Sequence, residues 1–557
     1  MAPILRPLAV LRRHWPAPAS AFQALLLVGL ACAVYAPYLK NTYVFDDLNL
    51  FNGLTIYDFA TELWRTQVRW LSYATLAHSY VLSDGSIVVL RLGNLLLHAA
   101  NAVAVFVLLR ELLGATSDRG IKAVGESPQA SRLALLGAAL FAAHPVAAYG
   151  VGYLVQRSIL MSTLFMLLML IAYLRWLNSG RNALWIASAI WFLLSVFSKE
   201  HSVVAPAATL LLTLVLRRPS LELARRLAPP YIAYAVIAVL VTLVAKGVLG
   251  TAYEVYAIDM LAESHGFEAG RAAHDAYLLS VITQAWLFFK YLFLWMLPNP
   301  AWMSMDVREP IAGSLLSWPY WAAAIAFICY PLLAVRMALK GGRAGVAGWA
   351  LAFPWLMFIP ELSTVRVQEP FVLYRAYLWF PVFSVILPLA IEHISPRAAT
   401  LSATVIVCVF VPLSWNRLAS LAEPLIAWND AAKLLVRGNE PGAGRIYYNR
   451  ALALAEKNRL DEARADIDKA VALHPRFAPV RLARAKILFN MKRYAEALDA
   501  MNVAIGLDSK RSDFYATRAV VLKRLGRDYD AVQDMRRSCK LGQLMACALL
   551  DKEGAGR

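Results

Sequence analysis

The residues with most chemistry to offer are charged and stand beside apolar runs. Asp46 and Asp47 follow Phe45 just past the first long apolar stretch, Leu25 to Tyr38. Arg69, His144, Arg157, the bend Lys199-Glu200-His201 and Arg375 recur at the edges of later apolar runs. Charge at membrane depth is costly unless it faces a cavity or a partner. A carboxylate at such a place suits a general base that takes the proton of an incoming hydroxyl. Arg and Lys suit the phosphate of a lipid headgroup, Arg by binding two oxygens at once. Taken singly, each cation is a snorkelling side chain that pins a helix end, and the Asp pair caps a short helix or marks the membrane surface. Taken together, acids and cations gathered on one face point to a site for an anionic lipid headgroup.

The elements that must hold these residues are membrane helices. The chain has 557 residues, 60% of them hydrophobic, and a mean hydropathy of +0.53, which no ordinary soluble protein shows. About eleven apolar runs approach or reach the roughly 17–25 residues that cross about 30 Å of hydrocarbon. They lie near 21–39, 87–110, 132–149, 158–176, 183–198, 202–216, 231–249, 315–336, 345–360, 374–391 and 398–415. Lys/Arg-rich loops recur between alternate runs, on the side of the basic N-terminus, and the positive-inside rule makes that side cytoplasmic. Tyr277 to Leu297 is also long enough to span, but a crossing there would turn the basic loop at Arg336, Lys340 and Arg343 outward. We therefore read it as interfacial or re-entrant. The candidate site residues then all fall on the outer face.

Composition and motifs exclude several functions. The formal charge is +18, yet about half of the excess lies in residues 416–557 and the rest mostly in short loops. No basic and aromatic platform for nucleic acid is present. Phosphate-binding Gly-rich loops, zinc-type Cys/His spacing and H-E-x-x-H are absent from the sequence. Two adjacent carboxylates are a thin ligand set, so no metal is called for.

After Trp415 the hydropathy drops and a repeat appears. Arg450-Ala451, Arg484-Ala485 and Arg518-Ala519 are spaced by 34 residues, as are Ala463, Ala497 and Ala531. This is the tetratricopeptide period of stacked helical hairpins, with a helix stop at Pro475 and a leading helix near 422–437. The fold class expected is all-α: a polytopic helical membrane domain over 1–415, with about eleven spans plus interfacial helices, and a tetratricopeptide-repeat solenoid over 416–557.

The motifs in order resemble the membrane-embedded glycosyltransferases of the C superfamily, and among them the transmembrane and tetratricopeptide-repeat family of O-mannosyltransferases. The pieces are Phe45-Asp46-Asp47, Arg69-Trp70-Leu71-Ser72-Tyr73, the run Arg91 to Ala99, Leu140 to Pro145, Gln156-Arg157-Ser158, Ser198-Lys199-Glu200-His201, Tyr291 to Pro298 and Tyr374 to Pro381. Trp70 stands where the family usually has Pro, and Gln156 where it usually has Gly. The resemblance covers nearly the whole chain and implies an inverting transferase of the bacterial inner membrane. Its donor would be a polyprenyl-phosphate-linked sugar and its acceptor a protein Ser/Thr outside the cytoplasm. It implies Asp46 or Asp47 as base, with Asp47 preferred, and Arg157, Lys199, Arg375 and Arg69 as donor-phosphate ligands. His144, Glu200 and His201 would support them, with no cofactor. The repeat tail, placed periplasmic, would recruit the acceptor or a partner. Cys539 and Cys547 resemble the cysteine hairpin of secreted Sel1-like repeats, which implies a disulfide. A lipid acceptor, or a non-catalytic scaffold for envelope or pilus assembly, remain the alternatives.

Overall fold

The computed structural model describes residues 18–51, 55–61, 68–116, 127–244, 269–366 and 369–552. These residues are all-α, helices and 3-10 turns with one isolated antiparallel bridge between Val307 and Phe371. Eight helices are long and apolar enough to cross a membrane; Asn182–Ser198, Glu200–Leu216 and Phe380–Ala390 are apolar but shorter. The Pro128–Ala143 helix, expected to run to 149, stops at His144 because Pro145 disfavours a helical backbone before it.

One expected element differs. The stretch 374–391 is not one helix. It is a 3-10 turn, Leu373–Leu378, followed by the short helices Phe380–Phe383 and Ile386–Ala390, with Pro381 and Pro388 interrupting the ladder. Tyr277 to Leu297, expected to be interfacial or re-entrant, lies almost wholly within a continuous 28-residue helix, Ala269–Met296, whose part Asp275–Met296 is long and apolar enough to span. Ser280 and Gln284 bond the backbone of Arg366 and Pro370, and Tyr291 bonds both backbone groups of Val372. The helix therefore braces the loop that carries Arg366 to Arg375.

One large apolar core joins the membrane-type helices. Small residues allow close approach where helices cross: a Cβ on Gly348 would lie 2.3 Å from the backbone nitrogen of Ala338. A second core lies in the leading helix Pro424–Lys433 and the hairpin Ala443–Glu456/Leu460–Leu473. Phe45 and Met305 pack against both cores. Further hairpins, Ala478–Asn490/Tyr494–Leu507 and Ser512–Arg524/Asp528–Lys540, follow the 34-residue period. The repeated alanines 451, 463, 485, 497, 519 and 531 are all buried, where a larger side chain would push the helices apart. Leu544–Lys552 packs on the last hairpin, and a Cys539–Cys547 disulfide closes the turn at Gly542.

Candidate functional site

Phe45 adopts a left-handed backbone, φ 56°, and the helix Asp46–Phe51 starts immediately after it. The two carboxylates consequently part company. Asp47 is wholly buried and accepts from the N–H groups of Val155 (2.9 Å), Leu154 and Val44 (both 3.4 Å). Burial raises its carboxyl to about 7, against the pull of those N–H groups and of Arg91. Arg91 in turn ties the carbonyls of Asn41, Thr42 and Gly152. Asp47 is thus a brace between two loops. Asp46 is half-buried, touches the Tyr153 hydroxyl through its N–H at 2.9 Å, and lines an open cleft. Burial and the nearby Glu369 raise its carboxyl above the ordinary carboxylate range.

Beside Asp46 runs a ladder of alternating charge. Arg69, also left-handed at φ 64°, holds Glu200 through Nε at 3.0 Å and Nη2 at 2.5 Å. His201 lies between Glu200 at 3.3 Å and Glu361 at 3.0 Å. Glu361 also meets Arg375 at 3.0 Å and Arg366 at 3.5 Å. Arg375 reaches Glu369 at 3.4 Å, and Glu369 binds Arg445 of the first repeat helix at 2.5 Å. Burial alone would raise the Glu369 carboxyl, but Arg445 and Arg375 bring it down to about 2.

Lys199 is the member left over. Only 3% of its surface is exposed, and its Nζ lies 5.8 Å from the centroid of the Tyr374 ring. Among the described residues its ammonium has no hydrogen-bond or ion-pair partner, although buried charges are ordinarily paired. Burial, then Arg69 and Arg375, lower it to about 7. An anion bound there would meet three cations with Asp46 at their edge.

Arg157, expected as a phosphate ligand, and His144, expected as a supporting residue, are engaged otherwise. Arg157 spends its guanidinium on Asn94 (3.0 Å), Ser79 (3.0 Å) and the carbonyls of Thr75 (3.2 Å) and Leu90 (2.8 Å). Those bonds lock three helices and leave no free fork for a phosphate. His144 holds the carbonyl of Trp295 and the N–H of Val146, among apolar neighbours, and is a hinge pin. Sequence reasoning missed Glu361, Glu369 and Arg445 altogether. Among the described residues, no group of three or more His, Cys, Asp or Glu is arranged to hold a metal ion.

The cleft at Asp46 has a volume of about 400 Å³. One wall is Phe45, Asp46, Leu48 and Asn49; the other is the leading helix and first repeat hairpin. Arg445 lies 4.4 Å over the Phe45 ring, which meets Trp428 edge-on. The tail therefore supplies part of the site's wall.

Comparison with known proteins bears on the tail alone. No curated protein matches the chain. A solved structure titled "MamA AMB-1 C2221" aligns with 39% of this chain and 99% of its own, at 15% identity and a TM-score of 0.19, which is too low to argue from. The family model for the tetratricopeptide repeat matches residues 444–477, the span of the Gly444–Leu473 hairpin and its following turn. Residues 444–477 thus hold a tetratricopeptide repeat, and two more helical hairpins follow it at the 34-residue spacing.

Proposed function

We propose that this chain is an inverting membrane glycosyltransferase that moves a sugar from a polyprenyl-phosphate donor to a Ser/Thr hydroxyl of a protein. The observation that carries the reading is the unpaired, buried ammonium of Lys199 between Arg69 and Arg375, with the Asp46 carboxylate beside it. In the proposed step the hydroxyl oxygen attacks the anomeric carbon as the carbon–oxygen bond to phosphate breaks. The bond's electron pair leaves on the polyprenyl phosphate, whose charge Lys199 and its neighbours balance, and the hydroxyl proton passes to Asp46. Asp46 is preferred to Asp47 because Asp47's oxygens are already held by backbone N–H groups.

The topology belongs to the same proposal: N-terminus in the cytoplasm, site and tail outside it. The Cys539–Cys547 disulfide supports it, since disulfides persist in oxidising compartments. A lipid acceptor is disfavoured because the cleft beside Asp46 is walled by the repeat tail rather than opening between membrane-type helices. Intact masses of envelope proteins test the reading in cells carrying Asp46→Asn, Asp47→Asn or Lys199→Met. Transfer is expected to fall about 10²–10⁴-fold in D46N. D47N lowers the amount of folded protein but keeps transfer per folded molecule. Glycans that persist unchanged in both D46N and K199M sink the proposal.

A further inference from the structure

We propose that the cleft between the Asp46–Phe51 helix and the first repeat hairpin binds an extended, acid-free peptide segment. The segment carries a Ser/Thr next to one bulky aromatic or aliphatic side chain. The inference deepens the transferase reading, on which it rests for the role of Asp46, by giving the acceptor a chemical class.

The lining is mainly apolar: Trp428, Tyr448, Leu452 and Phe477 face Phe45 and Leu48 across the gap. A sugar would leave most of its hydroxyls without partners there, whereas a bulky side chain gains from the burial. The polar groups are few and suited to a peptide backbone. Asn449 spends its amide N–H on the Arg445 carbonyl at 2.8 Å and keeps its oxygen, and Asn49 is exposed at the rim. About 400 Å³ lies at the small end of the roughly 300–1,000 Å³ of ligand pockets, enough for a few residues and not for a folded domain. The charge balance selects too. Arg445 is held by Glu369 at 2.5 Å, and the Asp46 carboxylate, which faces the cleft, repels Asp or Glu beside the acceptor hydroxyl. Stacked repeats continue the surface beyond the first hairpin, so a longer chain can run on along them.

The test uses the full-length chain in lipid nanodiscs, without donor. A random peptide display library is panned on it and counter-selected on Asn49→Arg and Leu452→Glu. Asn49 is exposed, so N49R blocks the cleft without touching a core. Enriched peptides are expected to pair Ser/Thr with a bulky apolar residue, to lack Asp/Glu, and to bind either variant about tenfold or more weakly. No enrichment over the variants, an acid-rich motif, or displacement of the enriched peptides by methyl glycosides overturns the proposal. Peptides that bind but are never glycosylated would defeat the transferase reading and leave the cleft standing. Undiminished glycan transfer in N49R would do the reverse.

Discussion

At the scale of residues, the proposed transfer needs Asp46 ionised and Lys199 charged, and both groups are shifted toward neutrality. Asp46 acts only when ionised, so activity falls as pH drops through a value raised above the ordinary carboxylate range by burial and Glu369. Lys199 binds phosphate only when charged, so activity falls again as pH rises through about 7 in the donor-free protein. A bell-shaped dependence of kcat/KM is expected, and Lys199→Arg should move its basic limb upward while leaving the acidic limb in place. The same lysine has a stability signature. Below pH 7 the folded state bears the full cost of its buried charge. Between about 7 and the ordinary lysine range the unfolded chain binds more protons, so stability rises with pH there. Lys199→Met should therefore raise the melting temperature most below pH 7, with the gain shrinking toward pH 10. Inorganic pyrophosphate should raise the melting temperature of the parent protein but not of K199M. How far this was readable from sequence varies by residue. Lys199-Glu200-His201 stands out because three ionisable residues interrupt apolar runs. Asp46 and Asp47 could not be separated, because their divergence turns on the left-handed backbone of Phe45, which that residue type does not announce.

At the scale of elements, the charge ladder joins parts of the chain remote in sequence. Arg69 precedes the helix Trp70–Leu82, Glu200 and His201 open a 3-10 turn, Glu361 lies within another, and Arg445 stands on a repeat helix. Glu361 escaped notice as a single acid after Ile-Pro in an apolar run, and Arg445 as one more cation on an amphipathic tail. The repeats were legible because burial of small residues at a fixed period leaves a mark in composition; the broken stretch 373–390 was not, because its apolar residues pack without a helical period. Arg445→Ala removes the shorter of the ion pairs to the half-buried Glu369, so a loss of about 1–3 kcal/mol is expected, read as a lowered melting temperature. Gly444→Ala tests the neighbouring position independently of charge. A Cβ there would stand 2.2 Å from the His474 ring, so the hairpin must shift, at a cost of about 1–3 kcal/mol in the same measurement.

At the scale of the whole molecule, membrane-type helices and repeat tail are not beads on a string. Phe45 and Met305 belong to both cores, and Arg417 clasps Asp430 of the leading helix at 3.0 Å as well as the carbonyl of Met303. Truncation after Arg437 is expected to abolish transfer while leaving the membrane helices inserted, as protease protection and intact-mass measurements would show together. Reduction of Cys539–Cys547 should by contrast loosen only the last hairpin, seen as faster amide exchange over 528–550 with transfer retained.

The Arg445–Glu369 contact also sets an order of events during biosynthesis. Every other rung of the ladder is made before Arg445 leaves the ribosome, and most of the cleft's second wall follows it in the chain. Under the proposed transfer, a half-made chain holds its donor ligands without a place for the acceptor, and until the first repeat has folded against Phe45 it would have no means of spending a lipid-linked sugar on its neighbours.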